Sequence, residues 1–170
     1  MHNNISTERL RLNLLTLADH AFIRSLVNTK GWIAFIGDRN VHSEEDAMAY
    51  INRILHTENL YYWVVRVRDT HTPAGIISFL KRSYLDHFDI GFAFLPEFHG
   101  KGYAYEAAKA VLSIVSQYPE HKHILATTVP QNTQSIQLLT RLGLHYEKTI
   151  EADNKPLLVY SMDTVSTQNK

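Results

Sequence analysis

The sequence predicts an α/β fold of the α+β kind, one mixed, mostly antiparallel sheet with helices on its faces. Three observations predict it. Residues 60–68 (LYYWVVRVR), 74–81 (AGIISFLK) and 88–95 (FDIGFAFL) are rich in β-branched and aromatic residues and are separated only by short turns, so they pair antiparallel. Strand–helix–strand runs through residues 103–117 and 132–142 then allow a parallel pair. Finally, 170 residues with 45% apolar content suffice for one domain with a buried core.

The elements follow in order. Residues 8–15 (ERLRLNLL) alternate polar and apolar groups, the period of a half-buried strand. Beyond Thr16 and Asp19, the residues Phe22, Ile23, Leu26 and Val27 share one helical face. Residues 31–40 (GWIAFIGDRN) read as a loop or short helix. Ser43, followed by Glu44, Glu45 and Asp46, opens a helix through Ala47, Tyr50, Ile51 and Ile54. The serine caps free amides, and the acids suit the positive end of the dipole. After the three central strands come a helix over 103–117, a strand over 123–129 (HILATTV) and a helix over 132–142 stopped by Gly143. Two strands close the chain, near 144–151 and 157–162, giving the order β-α-α-β-β-β-α-β-α-β-β. Residues 164–170 (TVSTQNK) read as a loose tail, so the expected organisation is a single domain over 1–170, structured over about 7–163.

Charge and composition exclude several classes. Lys plus Arg and Asp plus Glu each number 17, so the formal net charge is zero. Nucleic-acid and anionic-membrane binders carry a basic excess, and none is present. No cysteine occurs, which removes disulfides, thiolate metal sites and a cysteine nucleophile. No signal peptide or membrane-length apolar run is visible, so a cytoplasmic protein is expected. Ten histidines raise the question of a metal, but H-E-x-x-H is absent and only His121 and His123 are closely spaced. No metal is expected. No G-x-S-x-G elbow supports an esterase.

The segment HGKGYAYE at 99–106 carries the first candidate site. It follows a strand and opens a helix, so free first-turn amides face outward where Gly100 and Gly102 let an anion approach the backbone. A Walker loop needs Ser or Thr after the lysine, and Gly102 stands there. A dinucleotide loop needs a third glycine, and Tyr105 stands there. What remains is a phosphate cradle of another kind or a plain strand-to-helix turn.

A second constellation decides the family resemblance. P-E-x-x-G-K-G-Y-A-x-E-A from Pro96 and N-x-x-S-x-x-L-L-x-x-L-G-L from Asn132 resemble the GCN5-related N-acetyltransferases (GNAT). T-E-R-L-R-L-x-x-L-T-L-x-D from Thr7 resembles the RimJ/RimL branch, as do G-D-R-x-V-x-S-x-E-x-A-x-x-Y-I from Gly37 and D-I-G-F from Asp89. The matches span residues 7–144. The resemblance implies a GNAT sheet whose fourth and fifth strands splay around the cofactor. It implies acetyl-CoA as cofactor, CoA as product, and transfer of the acetyl group to a primary amine, on a small molecule or a protein N-terminus. Homodimers are common in the branch, so a homodimer is expected.

Carried over residue by residue, the pyrophosphate loop falls on His99, Gly100, Lys101, Gly102, Tyr103 and Ala104. His99 stands where the family has Gln or Arg. The backbones of Phe92 and Phe94 would pair with the pantetheine arm like an added strand, and Asn132 matches the family asparagine that bonds the arm. Amine acylation needs a proton acceptor for the amine and a donor for the departing thiolate. Without cysteine, direct attack in a ternary complex is expected. Asp89 is the candidate proton acceptor, or else a solvated or turn-capping carboxylate. Ser135 is the candidate thiolate acid and a contact for the arm, or else a helix-surface serine; the tyrosine that many relatives use is replaced by Leu139. Glu106 reads as a dipole-stabilising carboxylate. Trp32, Phe35 and Arg39 are the candidate acceptor-binding residues, or else core aromatics and a structural ion pair. His99 and the missing tyrosine keep open an alternative, a non-catalytic acyl-CoA-binding module.

Overall fold

The computed structural model describes residues 1–164. Eight strands form one sheet: β1 (Asn4–Ser6), β2 (Leu10–Leu14), β3 (Leu60–Val67), β4 (Pro73–Lys81), β5 (Phe88–Phe94), β6 (His123–Thr128), β7 (His145–Ala152) and β8 (Lys155–Asp163). The helices are α1 (His20–Val27), α2 (Lys30–Phe35), α3 (Glu44–Leu55), α4 (Tyr103–Val115) and α5 (Thr133–Arg141). The strand order is β1-β2-β3-β4-β5-β6-β8-β7. Neighbours are antiparallel except β5 and β6, which run parallel and share one registered pair, Asp89 with Leu125. That pair lies near the start of β5. Past it the two strands part, leaving a gap toward their C-terminal ends.

Alternation along the central strands builds two cores. Trp63, Val65, Ile77, Phe79 and Ile90 point to one face, where α4 supplies Ala107, Ala108 and Val111, and α5 supplies Leu139. Val64 and Ile76 point to the other, under Phe22, Ile23, Leu26, Trp32 and Ile51 of α1, α2 and α3. Successive strand side chains go to opposite faces, so a strand covered on both sides reads as a continuous apolar run.

Local signals account for the helix ends. The Ser43 hydroxyl accepts from the Asp46 amide at 3.0 Å. Gly143, at φ +95°, terminates α5, and the Leu144 amide reaches back to the Leu139 carbonyl at 3.0 Å. The segment expected as a loop or short helix holds the short helix α2, capped by the Thr29 side chain accepting from the Trp32 amide. Other features differ from the sequence expectation. β1 is an additional strand, pairing Ile5 with Leu12. α4 ends at Val115, short of the expected 117. Of the expected loose tail, residues 165–170 lie outside the described residues.

Candidate active site

β5 runs into a 3-10 turn (Pro96–Phe98), then into the glycine loop that opens α4. Gly100 and Gly102 sit at φ +73° and +78°, the left-handed region that strains any residue with a Cβ. Gly102 occupies the N-cap position and has no side chain to cap with. The first bond of the helix is the Glu106 amide to the Gly102 carbonyl, 3.1 Å. The amides from Gly100 to Tyr105 meet no acceptor among the described residues. Gly100, Lys101 and Gly102 are exposed. Free N–H groups at the positive end of a helix form an anion cradle.

The loop is braced from the N-terminal strands, a feature absent from the sequence reading. Glu106 accepts from the Thr7 hydroxyl at 2.6 Å, from the Arg9 amide at 2.9 Å and from Arg9 Nε at 2.7 Å. Burial raises the Glu106 pKa, but these donors outweigh it and hold the carboxyl below its ordinary value. Arg9 also donates to the Lys101 carbonyl at 2.8 Å and lies 4.8 Å from the Tyr103 ring centroid. Thr7, Glu8 and Arg9 belong to the T-E-R-L motif. That motif was the one signal that could have pointed to them.

His99 turns back to β5. Its Nε2 lies 2.9 Å from the Phe94 carbonyl, so Nε2 carries the hydrogen and donates. The Leu95 amide bonds to the Ala74 carbonyl, which sets the alternation of the β4–β5 ladder. Backbone groups of Gly91 and Ala93 therefore turn to β4, and those of Phe92 and Phe94 turn to the gap. With His99 on the Phe94 carbonyl, the gap edge still offers Phe92 through both polar groups and Phe94 through its amide. An unpaired strand edge of this kind accepts an added strand.

Asp89 lies at the closed end of the gap. It is 1% exposed, which removes the solvated reading. Arg82 Nε donates to both carboxylate oxygens, at 3.0 and 3.2 Å. Burial pushes the Asp89 pKa above the usual 3.8, and the Arg82 charge only partly offsets it. Positions 89, 91 and 93 of β5 face the α1–α3 side, where Ala93 packs on that core. There Tyr62, Ser78 and Gly91 form one cross-strand row. A Cβ on Gly91 would stand 2.6 Å from Ser78 Oγ, so the serine hydroxyl packs directly over the glycine next to Asp89. Burial raises the Tyr62 pKa, as does the neighbouring Tyr50 hydroxyl, while the charges of Arg82 and Arg39 oppose them. The hydroxyls of Tyr50 and Tyr62 and the guanidinium groups of Arg82 and Arg39 thus gather on this face.

Across the gap, α5 starts just beyond β6. Asn132 caps it, its Oδ1 accepting from the Ser135 amide at 3.2 Å, which leaves the Asn132 side-chain NH2 free to donate. Ser135 is half-buried in the first turn. The three acceptor candidates separate. Trp32 is 5% exposed, within the core under α1 and α3, and its indole N–H has no partner among the described residues. Phe35 is 40% exposed, and Arg39 is exposed as well. Two surface depressions lie off this site, one lined by His20, Arg24 and Glu44, the other by Tyr105, Lys109 and Met162. Among the described residues no group of three or more metal-ligating side chains converges, and no helix is long and apolar enough to cross a membrane.

Known proteins resemble this chain in sequence and fold. The family model described as acetyltransferase (GNAT) domain matches residues 9–145. The uncharacterized N-acetyltransferase YnaD of Bacillus subtilis (strain 168) is 29% identical over 144 residues, covering 85% of this chain and 84% of its own. A GNAT-family acetyltransferase from Bacillus anthracis superimposes with a TM-score of 0.79 at 25% identity, over 95% of this chain and 98% of that one. The fold is also that of a ribosomal-protein-S5-alanine acetyltransferase from Vibrio fischeri, with a TM-score of 0.81 at 17% identity, over 98% of this chain and 99% of that one.

Proposed function

This chain belongs to the GNAT acetyltransferase family, matched from residue 9 to residue 145, and on that premise we propose how its own residues carry the reaction. The family's activity is acetyl-CoA-dependent N-acetyl transfer. Acetyl-CoA supplies an activated acetyl thioester. The amides of Gly100 to Ala104 hold the pyrophosphate, with Lys101 and Tyr103 at its rim. The arm extends along the gap edge of β5 as an added strand on Phe92 and Phe94, and the Asn132 NH2 donates to it. His99 acts on β5 and not on the phosphates.

The observation that carries this reading is one continuous path. It starts at the free amides of the glycine loop, follows the unpaired edge of β5 and ends at buried Asp89. The five residue steps from Asp89 to Phe94 span about 17 Å of strand, a length suited to an extended pantetheine arm. Asp89 accepts the proton of the amine, directly or through a water, and burial makes it a stronger base than a free carboxylate. Ser135 contacts the arm and gives a proton to the departing thiolate. With no cysteine in the chain, the amine attacks the thioester directly.

The acceptor is a primary amine that enters from the α1–α3 side. Phe35 and Arg39 stand at that entrance, Trp32 beneath them, and the guanidinium suits an acceptor with a nearby acidic group. The lack of cysteine fits work in the reducing cytoplasm. Residues 1–170 act as one domain, supported by a single sheet that joins every described strand.

Thiol release from acetyl-CoA against amino acids, short peptides and aminoglycosides tests the reading. One acceptor class is expected to release thiol. Asp89→Asn is expected to lower kcat by about 10²-fold or more, with acetyl-CoA affinity unchanged. Wild-type rates in Asp89→Asn and Ser135→Ala together would remove both residues from the mechanism. Intact acetyl-CoA binding without turnover would favour a non-catalytic acyl-CoA-binding module.

A further inference from the structure

Arg9 touches the glycine loop at a point where one peptide plane decides what the cradle can do. Its Nε and its own amide are fixed on Glu106, at 2.7 and 2.9 Å, and Thr7 holds the same carboxylate at 2.6 Å. The guanidinium is therefore anchored, and Nη1 is aimed at the Lys101 carbonyl, 2.8 Å away. No peptide bond among the described residues is cis. In a trans peptide the C=O and the following N–H point in opposite directions. A Lys101 carbonyl drawn toward Arg9 thus turns the Gly102 N–H away from it, to the open side of the loop. Gly102 is what makes the approach possible. A Cβ there would stand 3.3 Å from Arg9 Nη2, and the residue sits at φ +78°.

We propose that Arg9 is a positioning residue for the pyrophosphate of acetyl-CoA: by holding the Lys101 carbonyl it presets the Gly102 amide as a phosphate donor. The inference rests on the reading of the loop as the pyrophosphate cradle. It assigns Arg9 a role distinct from simple bracing of β2 against α4. Bracing alone would affect stability, and with it every ligand alike. An oriented amide affects only ligands that carry phosphates. A conformation fixed before binding also spares the ligand the cost of ordering the loop.

The experiment compares CoA with S-acetylpantetheine, which has the arm but no pyrophosphate, by calorimetry on wild type, Arg9→Lys, Arg9→Ala and Thr7→Val. Arg9→Lys keeps the positive charge and a partner for Glu106 but has no second arm for Lys101. It is expected to weaken CoA about tenfold, the loss of one well-made hydrogen bond, and to leave S-acetylpantetheine within about twofold. Arg9→Ala should show at least the same selective loss. Thr7→Val is expected to lower the Tm while the preference for CoA persists. Undiminished CoA preference in Arg9→Lys, or equal weakening toward both ligands, overturns the proposal. A wild type that binds both ligands equally would instead overturn the cradle itself, and the role of Arg9 with it.

Discussion

Arg82 grips Asp89 through a single nitrogen, Nε, which lies 3.0 and 3.2 Å from the two carboxylate oxygens. The two residues are joined across the turn from β4 to β5, at the closed end of the gap. Removing Arg82 leaves the burial of Asp89 unopposed, so its pKa should climb further. In Arg82→Gln the acid limb of the kcat/KM profile is expected to move to higher pH by about one unit or more. An acid limb that stays in place would mean that Asp89 is not the group whose ionisation governs turnover.

Asp89 and Glu106 should leave opposite marks on the pH dependence of stability. Asp89 is raised above 3.8 in the fold, so its stabilising contribution is full below that pH and is lost as pH climbs through the folded value. Glu106 is lowered below 4.5, so its contribution is present above that pH and is lost as pH falls through the folded value. Thermal melts from pH 3 to 7 should show the Tm deficit of Glu106→Gln widest near neutrality and closing in acid. For Asp89→Asn the gap to wild type should narrow as the pH rises from acid. The reverse order in either variant would contradict the assigned direction.

Two strand glycines should respond differently to alanine. A Cβ on Gly75 would stand 2.5 Å from the Phe94 ring and 2.6 Å from the Ala93 carbonyl, and the backbone oxygen cannot turn away. On Gly91 the Cβ would meet Ser78 Oγ at 2.6 Å, the tip of a small side chain. Gly75→Ala is expected to cost about 1–3 kcal/mol or more in urea unfolding. Gly91→Ala should recover most of its loss when combined with Ser78→Ala, a coupling that a double-mutant cycle reads directly. Strict additivity would show that the two groups do not compete for the space.

The central elements were legible because their signals are local. Ser43 with its acids marks the start of α3, Gly143 the end of α5, and runs such as AGIISFLK have the composition of strands buried on both faces. β1 was not legible. It has three residues, of which only Ile5 is buried, so no period can be read. The loop glycines open α4 and Asn132 caps α5, helix starts that local backbone geometry makes readable in the sequence. The settings of Asp89 and Arg9 could not be read. Arg82 reaches Asp89 across a turn, and Arg9 reaches Glu106 from 97 residues away. Such contacts exist only once the sheet has formed. The turn of His99 onto the Phe94 carbonyl likewise depends on where β5 ends.

The lone register between β5 and β6 divides the sheet into two plates, one of five strands and one of three, joined along an open seam. Twisting of one plate against the other concentrates at that seam, because elsewhere each strand is laced to its neighbour along its length. An extended ligand bonded along the seam would stiffen the molecule as a whole. Resistance to heat should therefore grow with the logarithm of ligand concentration well above Kd, and exchange of the Phe92 amide should slow in step.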